Sequence, residues 1–341
     1  MNRFANEILI AVGLACSLLA SVGMAADPII GLVTKTEDNP FFVEIKDTVL
    51  HHADELGIKI YTFAGEYDGD SAKQIEAIET LVDAGVAGIL ISPSDPAALA
   101  DAVSKARQAG VIVIAIDTLF EPTQLADATF ATDNFRAGEL IGMWAKAYMG
   151  SAAKNANVVT LDGAGTNVTV DLLRNQGFLS GFGVGIRDPG TMYDEDDERI
   201  VGSGATFGSE EGGRSVMQSL LQNNPQIDLV YAINEPAAAG AYAALQESKV
   251  DDDAVIVSID GGCDGVNKVA DGELNATVMQ FPQRMAVYGI EAVVNFVKNG
   301  KMPDNTPGLD FFDTGVTLVT DTPVPGIPSI TAQQALMHCW G

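Results

Sequence analysis

Apolar residues recur along this chain in two alternating rhythms. Ile29-Ile30-Gly31-Leu32-Val33 is a continuous apolar run, as in a strand buried on both faces. From Phe42 to Leu56, apolar Phe42, Ile45, Val49, Leu50, Ala53 and Leu56 fall at helical spacing. Asn39 suits the helix cap and Pro40 the first helical position. The pattern predicts strand, polar loop, helix, and then repeats. Lys59 to Phe63 reads as a strand, Asp70 to Ala84 as a helix, and Gly88 to Ile91 as a short buried strand. A helix opened by Pro96 and ended by Gly110 leads into the strand Val111 to Ile116.

The alternation then restarts. Ala128 to Ala131 is extended, Asp133 to Met149 helical, and Val158 to Leu161 a strand, followed by a polar loop and a helix through Leu172, Leu173 and Phe178. A short strand at Ile200-Val201, a helix from Glu210 to Leu221, a strand from Leu229 to Ile233, a helix from Pro236 to Leu245 and a strand from Val255 to Ile259 follow. Thr277 to Met279, a helix from Pro282 to Asn299 and a late strand Val316 to Val319 complete the sheets. Buried strands alternating with amphipathic helices predict an α/β fold with parallel, doubly wound sheets. The halves echo one another: Ile91-Ser92-Pro93-Ser94-Asp95-Pro96 resembles Ile233-Asn234-Glu235-Pro236, and the strands before Asp117 and Asp260 match. Two similar lobes whose strand ends face each other would line a cleft from both sides, where open α/β sheets bind ligands.

The first residues stand apart from this pattern. Arg3 precedes an uncharged apolar stretch, Ile8 to Val22, and Gly23-Met24-Ala25-Ala26 offers small residues for cleavage, so residues 1–25 read as a secretory signal peptide. Cys16 raises a lipoprotein alternative, but its flanking residues fit that poorly. The remaining chain of roughly 315 residues exceeds what one compact core usually holds, which again predicts two lobes. A net charge of −27 repels phosphate backbones and anionic headgroups, so nucleic acid is excluded as a partner. An exported chain meets an oxidising compartment, where the two remaining cysteines, Cys263 and Cys339, form an even pair able to bond. Such a bond would hold Trp340 near the cleft rim, as a lid or as a packing plug.

Candidate chemistry gathers where the strands end. Phe41 and Phe42 either pack into the core or face a ligand, and Lys35 and Asn39 stand beside them. A flat apolar face rimmed by hydrogen-bonding groups suits a sugar ring. Asp117 and Asp260 each end an apolar strand, and a carboxylate accepts two hydroxyl donors at once. Arg174 is either a solvated arginine or a rigid fork of donors for sugar oxygens. The acidic run Asp194 to Glu198 lacks the glycine and late glutamate of a calcium loop, and Asp251 to Asp253 reads as a solvated turn. Gly163-Ala164-Gly165 is an incomplete dinucleotide fingerprint, and the histidines form no metal pair or triad. A catalytic role has few candidates.

With these residues in place, the chain resembles periplasmic sugar-binding proteins of the ribose-binding type, which feed ABC importers. Asn39-Pro40-Phe41-Phe42 is similar to that family's first ligand loop, Asp117 to its strand-end aspartate, and Arg174 to its ligand arginine. Asn234, Asp260 and Gln280 fall in the family's order, and Phe207 stands, one residue out of spacing, for an aromatic wall on the second lobe. Ribose binders carry arginine where this chain has Thr118; the shorter side chain makes room for a hexose, and Lys35 supplies a replacement donor. Lys35-Thr36, Asp117-Thr118-Leu119-Phe120-Glu121-Pro122, Asp260-Gly261-Gly262-Cys263 and Cys339-Trp340-Gly341 together are most similar to fructose-binding members.

The resemblance implies a type I periplasmic binding protein with a three-segment hinge. Its N-terminal lobe would be residues 27–131 plus 281–312, and its C-terminal lobe 132–280 plus 313–341. It implies a monomer that binds one monosaccharide, with ribose or a polyol as alternatives to a fructose-like hexose, and hands it to importer membrane subunits. No cofactor and no enzymatic turnover are expected. A sugar receptor signalling through a chemoreceptor or sensor kinase is the alternative; a secreted sugar-converting enzyme would need a partner for Asp117 or Asp260 acting as base.

Overall fold

The computed structural model describes residues 28–163, 169–250 and 254–341. The expected signal peptide, the loop after Gly163 and the turn at Asp251 to Asp253 lie outside the described residues.

Two six-stranded sheets carry the fold. In the first, β1 (Ile29–Thr34) is flanked by β2 (Lys59–Ala64) and β3 (Gly88–Ile91), with β4 (Ile112–Ile116) and β5 (Ala128–Ala131) beyond β3. These strands are parallel, and β1, β3, β4 and β5 are buried almost throughout, which is why they read as continuous apolar runs. The crossovers are α1 (Pro40–Leu56), α2 (Ser71–Asp83) and α3 (Pro96–Gln108).

The chain then passes to the second sheet through α4 (Asn134–Met149). There β6 (Val158–Asp162) lies between β7 (Ile200–Ala205) and β8 (Leu229–Ala232), followed outward by β9 (Val255–Asp260) and β10 (Ala276–Met279). Its helices are α5 (Thr169–Phe182), α6 (Glu210–Asn223), α7 (Glu235–Ser248) and α8 (Cys263–Asp271). After β10 the chain returns: α9 (Pro282–Asn299) packs on α1 and β4, and β11 (Phe312–Asp313) pairs with β5. It crosses a last time into β12 (Thr317–Val319), antiparallel to β10, and ends in α10 (Ala332–Ala335) against α8. Each sheet thus takes one late strand from the far side of a crossing. No helix among the described residues is long and apolar enough to cross a membrane.

Local chemistry sets where the helices begin. Asn39 Oδ1 accepts from the Phe41 amide at 3.0 Å with Pro40 in the first turn, and Gly57, at φ 70°, closes the same helix. Asn234 caps α7 in the same way, accepting from the Ala237 amide at 3.1 Å. The echo between the halves is structural too: Asp95 caps α3, accepting from the Ala97 and Ala98 amides at 2.9 and 3.1 Å, as Asn234 caps α7.

Candidate functional site

The carboxyl ends of both sheets face one cavity of about 60 Å³. Lys35, Asn39, Phe41, Phe42, Asp68 and Asp117 line it from the first lobe. Arg174, Asn234, Asp260 and Gln280 line it from the second, together with Val170, Asp171, Ile233 and the backbone at Gly163 and Gly208.

The two strand-end aspartates share an unusual backbone. Asp117 has φ 67° and Asp260 φ 147°, conformations that cost a non-glycine residue about 1–3 kcal/mol and that the surroundings must impose. Ser92 Oγ and Thr118 Oγ1 both donate to Asp117 Oδ2, at 3.0 and 2.7 Å. At Asp260, Gln280 Nε2 donates to Oδ1 at 2.7 Å and Arg174 Nη1 approaches the same oxygen at 3.5 Å. In each aspartate these bonds gather on one carboxylate oxygen.

Arg174 is buried, which rules out the solvated alternative. Its Nε donates to Asn134 Oδ1 at 2.8 Å and its Nη1 to the Ile233 carbonyl at 2.9 Å. It reaches this position because α5 packs on α4 almost backbone to backbone. A Cβ at Gly177 would lie 2.2 Å from the Phe135 carbonyl oxygen, and one at Gly138 would lie 2.1 Å from that of Arg174 itself. Lys35, only 4% exposed, lies 3.9 Å from Asp68 and 4.0 Å from Asp117. Those separations exceed hydrogen-bond length, so its ammonium keeps donors for a ligand.

Burial pushes several carboxyl groups in and behind the cavity up. Asp68, with 26% of its side chain still open, is raised by desolvation against the pull of Lys35. Desolvation also raises Asp260, with Arg174 pulling down and the Asp117 charge adding to the rise. Behind it, Glu235 is raised by burial and then by Asp260. Glu235 accepts from the amides of Gly261 and Gly262, at 2.8 and 3.0 Å, and from Thr277 Oγ1 at 2.7 Å, so it fixes the turn that presents Asp260. One layer behind Gly163, Asp162 is pushed up to about 7, by burial and then by Asp171.

Two expected contacts fall elsewhere. Thr118 is fully buried and does not line the cavity; its hydroxyl is spent on Asp117. Phe207 sits at φ 53° and is 58% exposed outside the cavity, so it forms no aromatic wall; Val170 and Ile233 supply the apolar surface on that lobe. Asn234 lines the cavity, yet its amide is committed: Oδ1 caps α7 and Nδ2 donates to the Gly208 carbonyl at 2.9 Å. Gln280 likewise joins Asp260 to the crossing, since its Oε1 accepts from Thr132 Oγ1 at 2.8 Å. Asp68, Asp171 and Glu235 were missed from the sequence. Only Glu235 carried a signal, its place beside Pro236 in the segment that echoes Ile91 to Pro96.

The cavity thus pairs two cations with four carboxylates around a partly aromatic wall. That arrangement receives hydroxyl donors and disfavours anionic ligands. No group of three or more metal-ligating side chains occurs among the described residues.

A protein-family model described as a periplasmic binding protein domain matches residues 30–302. The ribose import binding protein RbsB of Escherichia coli is 31% identical over 294 residues, covering 86% of this chain and 93% of its own length. A D-apiose import binding protein of Paraburkholderia graminis is 27% identical over 289 residues, covering 83% and 86%. Among solved structures, a galactofuranose binding protein superposes with a TM-score of 0.76 at 24% identity, covering 91% of this chain and 98% of its own.

Proposed function

This chain belongs to the periplasmic binding protein domain family, and from that premise we propose that it captures one monosaccharide between its lobes and delivers it to the membrane subunits of an ABC importer. The fold is that of a type I periplasmic binding protein, and the relatives are import binding proteins, not enzymes. The observation that carries the reading is the pair Asp117 and Asp260. They arrive from opposite lobes, each on a strained backbone, each held through one carboxylate oxygen and lining the same cavity. Each second oxygen is placed to accept sugar hydroxyls, with Lys35 and Arg174 as donors and the Phe41 and Phe42 rings against the C–H face.

Sugar contacts to both lobes favour the closed form, which is what an importer would read. The protein acts as an exported monomer whose residues 1–25 are a signal peptide. Its lobes divide as 27–131 plus 281–312 and 132–280 plus 313–341. A ketohexose is favoured over ribose, because Thr118 stands where ribose binders carry arginine and Lys35 supplies a donor instead.

Titration calorimetry with D-fructose, D-allose, D-ribose and myo-inositol tests this. D-fructose should bind more tightly than ribose, and Asp117→Ala or Asp260→Ala should weaken binding by about 2–5 kcal/mol. Micromolar ribose binding with no response to any hexose would sink the ketohexose preference. A variant with wild-type affinity would remove that aspartate from the site.

A further inference from the structure

The segment after β12 does something that the cavity walls do not explain. It belongs to the second lobe: Ala332 and Ala335 sit in that lobe's core, and Ile330 pairs with Val319. Cys339 is disulfide-bonded to Cys263, the first residue of α8, with their Cα atoms 5.0 Å apart. Yet the next side chain leaves that lobe. Trp340 is buried in the core of the first lobe, among Phe41, Phe42 and Met285. Its ring meets Phe41 edge to face at 5.6 Å, and Phe41 meets Phe42 the same way at 5.4 Å. Its Nε1 donates to the Gln280 carbonyl at 3.0 Å, where the chain crosses between lobes, and its own carbonyl accepts from the Cys263 amide at 2.8 Å.

We infer that Trp340 is a positioning residue for the binding site and a latch between the lobes, anchored to the second lobe by the Cys263–Cys339 disulfide. It does not itself line the cavity, so it is not a lid. It backs Phe41, which with Phe42 forms the aromatic wall, and it fixes the backbone of Gln280, whose side chain holds Asp260. When the lobes part, either Trp340 leaves Phe41 or the segment peels from the second lobe. The disulfide decides for the first. The edge-to-face contact is therefore made on closure and broken on opening, which adds stability to the closed form alone. A latch of this kind slows ligand release more than it speeds capture.

The inference rests on hinge closure around a sugar, so the test separates the two ideas. Off-rates of D-fructose, D-allose and D-ribose would be measured for wild type, Trp340→Ala, Trp340→Phe and the Cys263→Ser/Cys339→Ser double variant. Small-angle scattering of the sugar-free proteins would accompany them. For any sugar that binds, Trp340→Ala should release it about tenfold faster with a nearly unchanged on-rate. Trp340→Phe should recover most of the loss, and the double serine variant should fall between. An unchanged off-rate in Trp340→Ala overturns the latch. If none of the three sugars binds wild type, the sugar reading fails and scattering decides the latch alone. A more extended sugar-free Trp340→Ala then supports it, and a profile identical to wild type overturns it.

Discussion

Asp162 has no contact with the cavity and still shapes it. Its carboxyl is fully buried, accepts from Thr160 Oγ1 at 2.7 Å and Asn175 Nδ2 at 3.0 Å, and lies next to Gly163, whose amide donates to Asp171. Burial first, and the Asp171 charge second, raise it to about 7 from 3.8. An acid raised on folding holds a proton in the folded state that the unfolded chain has already lost. Between the unfolded and folded values, stability therefore falls as pH rises, and the penalty is complete above about 7. Asp162→Asn should flatten this slope: its melting temperature should exceed that of wild type at about pH 8 and match or trail it near pH 5. Parallel melting curves across that range would assign the slope to other groups. This layer of carboxylates was not legible in the sequence. Among 46 acidic residues, only Asp117 and Asp260 announced themselves, because a carboxylate at the end of an apolar strand is out of place. Asp68 sits in a polar stretch, Asp171 and Glu235 fall in the first turns of helices where a solvated acid reads identically, and apart from the place of Glu235 beside Pro236 only tertiary packing decides which are buried. Thr118 failed as a contact for the related reason that a hydroxyl beside a carboxylate bonds to it first.

Helix α5 shows how an element carries a site residue. Its own hydrophobic pattern is weak because so many of its residues are buried, Arg174, Asn175 and Gln176 among them. What holds it is the glycine seam with α4, at Gly138, Gly142, Gly177 and Gly181, where added Cβ atoms would lie within 2.3 Å of carbonyl oxygens on the facing helix. Gly177→Ala must push the helices apart, with overpacking that costs about 1–3 kcal/mol. Because Arg174 lies three residues earlier on the same helix, the shift also moves its fork away from Asn134 and Asp260. Lower stability in urea unfolding together with weaker sugar binding is expected. Full affinity in a destabilised variant would show that the arginine tolerates the displacement. Periodicity located the long helices and buried strands because each exposes one face or none, and signals such as Asn39-Pro40, Pro96 and Pro236 marked their starts. It missed α8 and α10. The first opens on Gly262-Cys263-Asp264-Gly265, which reads as a turn, and the second is too short for a period to repeat. Strand β11, two residues long, is defined only by its pairing with β5.

Closure of the whole molecule sets like charges against each other. Asp117 comes from β4 and Asp260 from β9, and closing the lobes confines both in one cavity, where the first raises the proton affinity of the second. Arg174 on α5 offsets part of this, while Glu235 at the start of α7 adds a further buried carboxyl behind Asp260. Without sugar, the closed form therefore desolvates charge that the open form leaves in water, which is a reason for the lobes to wait open. Under the proposed function, sugar hydroxyls donating to both carboxylates would remove that penalty and make closing conditional on ligand. A proton on Asp260 should act in the same direction. Its pKa is raised in the closed form, so protonation favours closing as pH falls toward the ordinary aspartate range, and the effect vanishes at higher pH. Sugar-free protein should scatter as a more compact particle near pH 5 than near pH 8. Asp260→Asn should be compact at both values and should isolate this aspartate from Glu235. If wild type and Asp260→Asn expand and contract together with pH, the cross-cleft carboxylates do not gate the hinge, and closure answers to the sugar through other contacts.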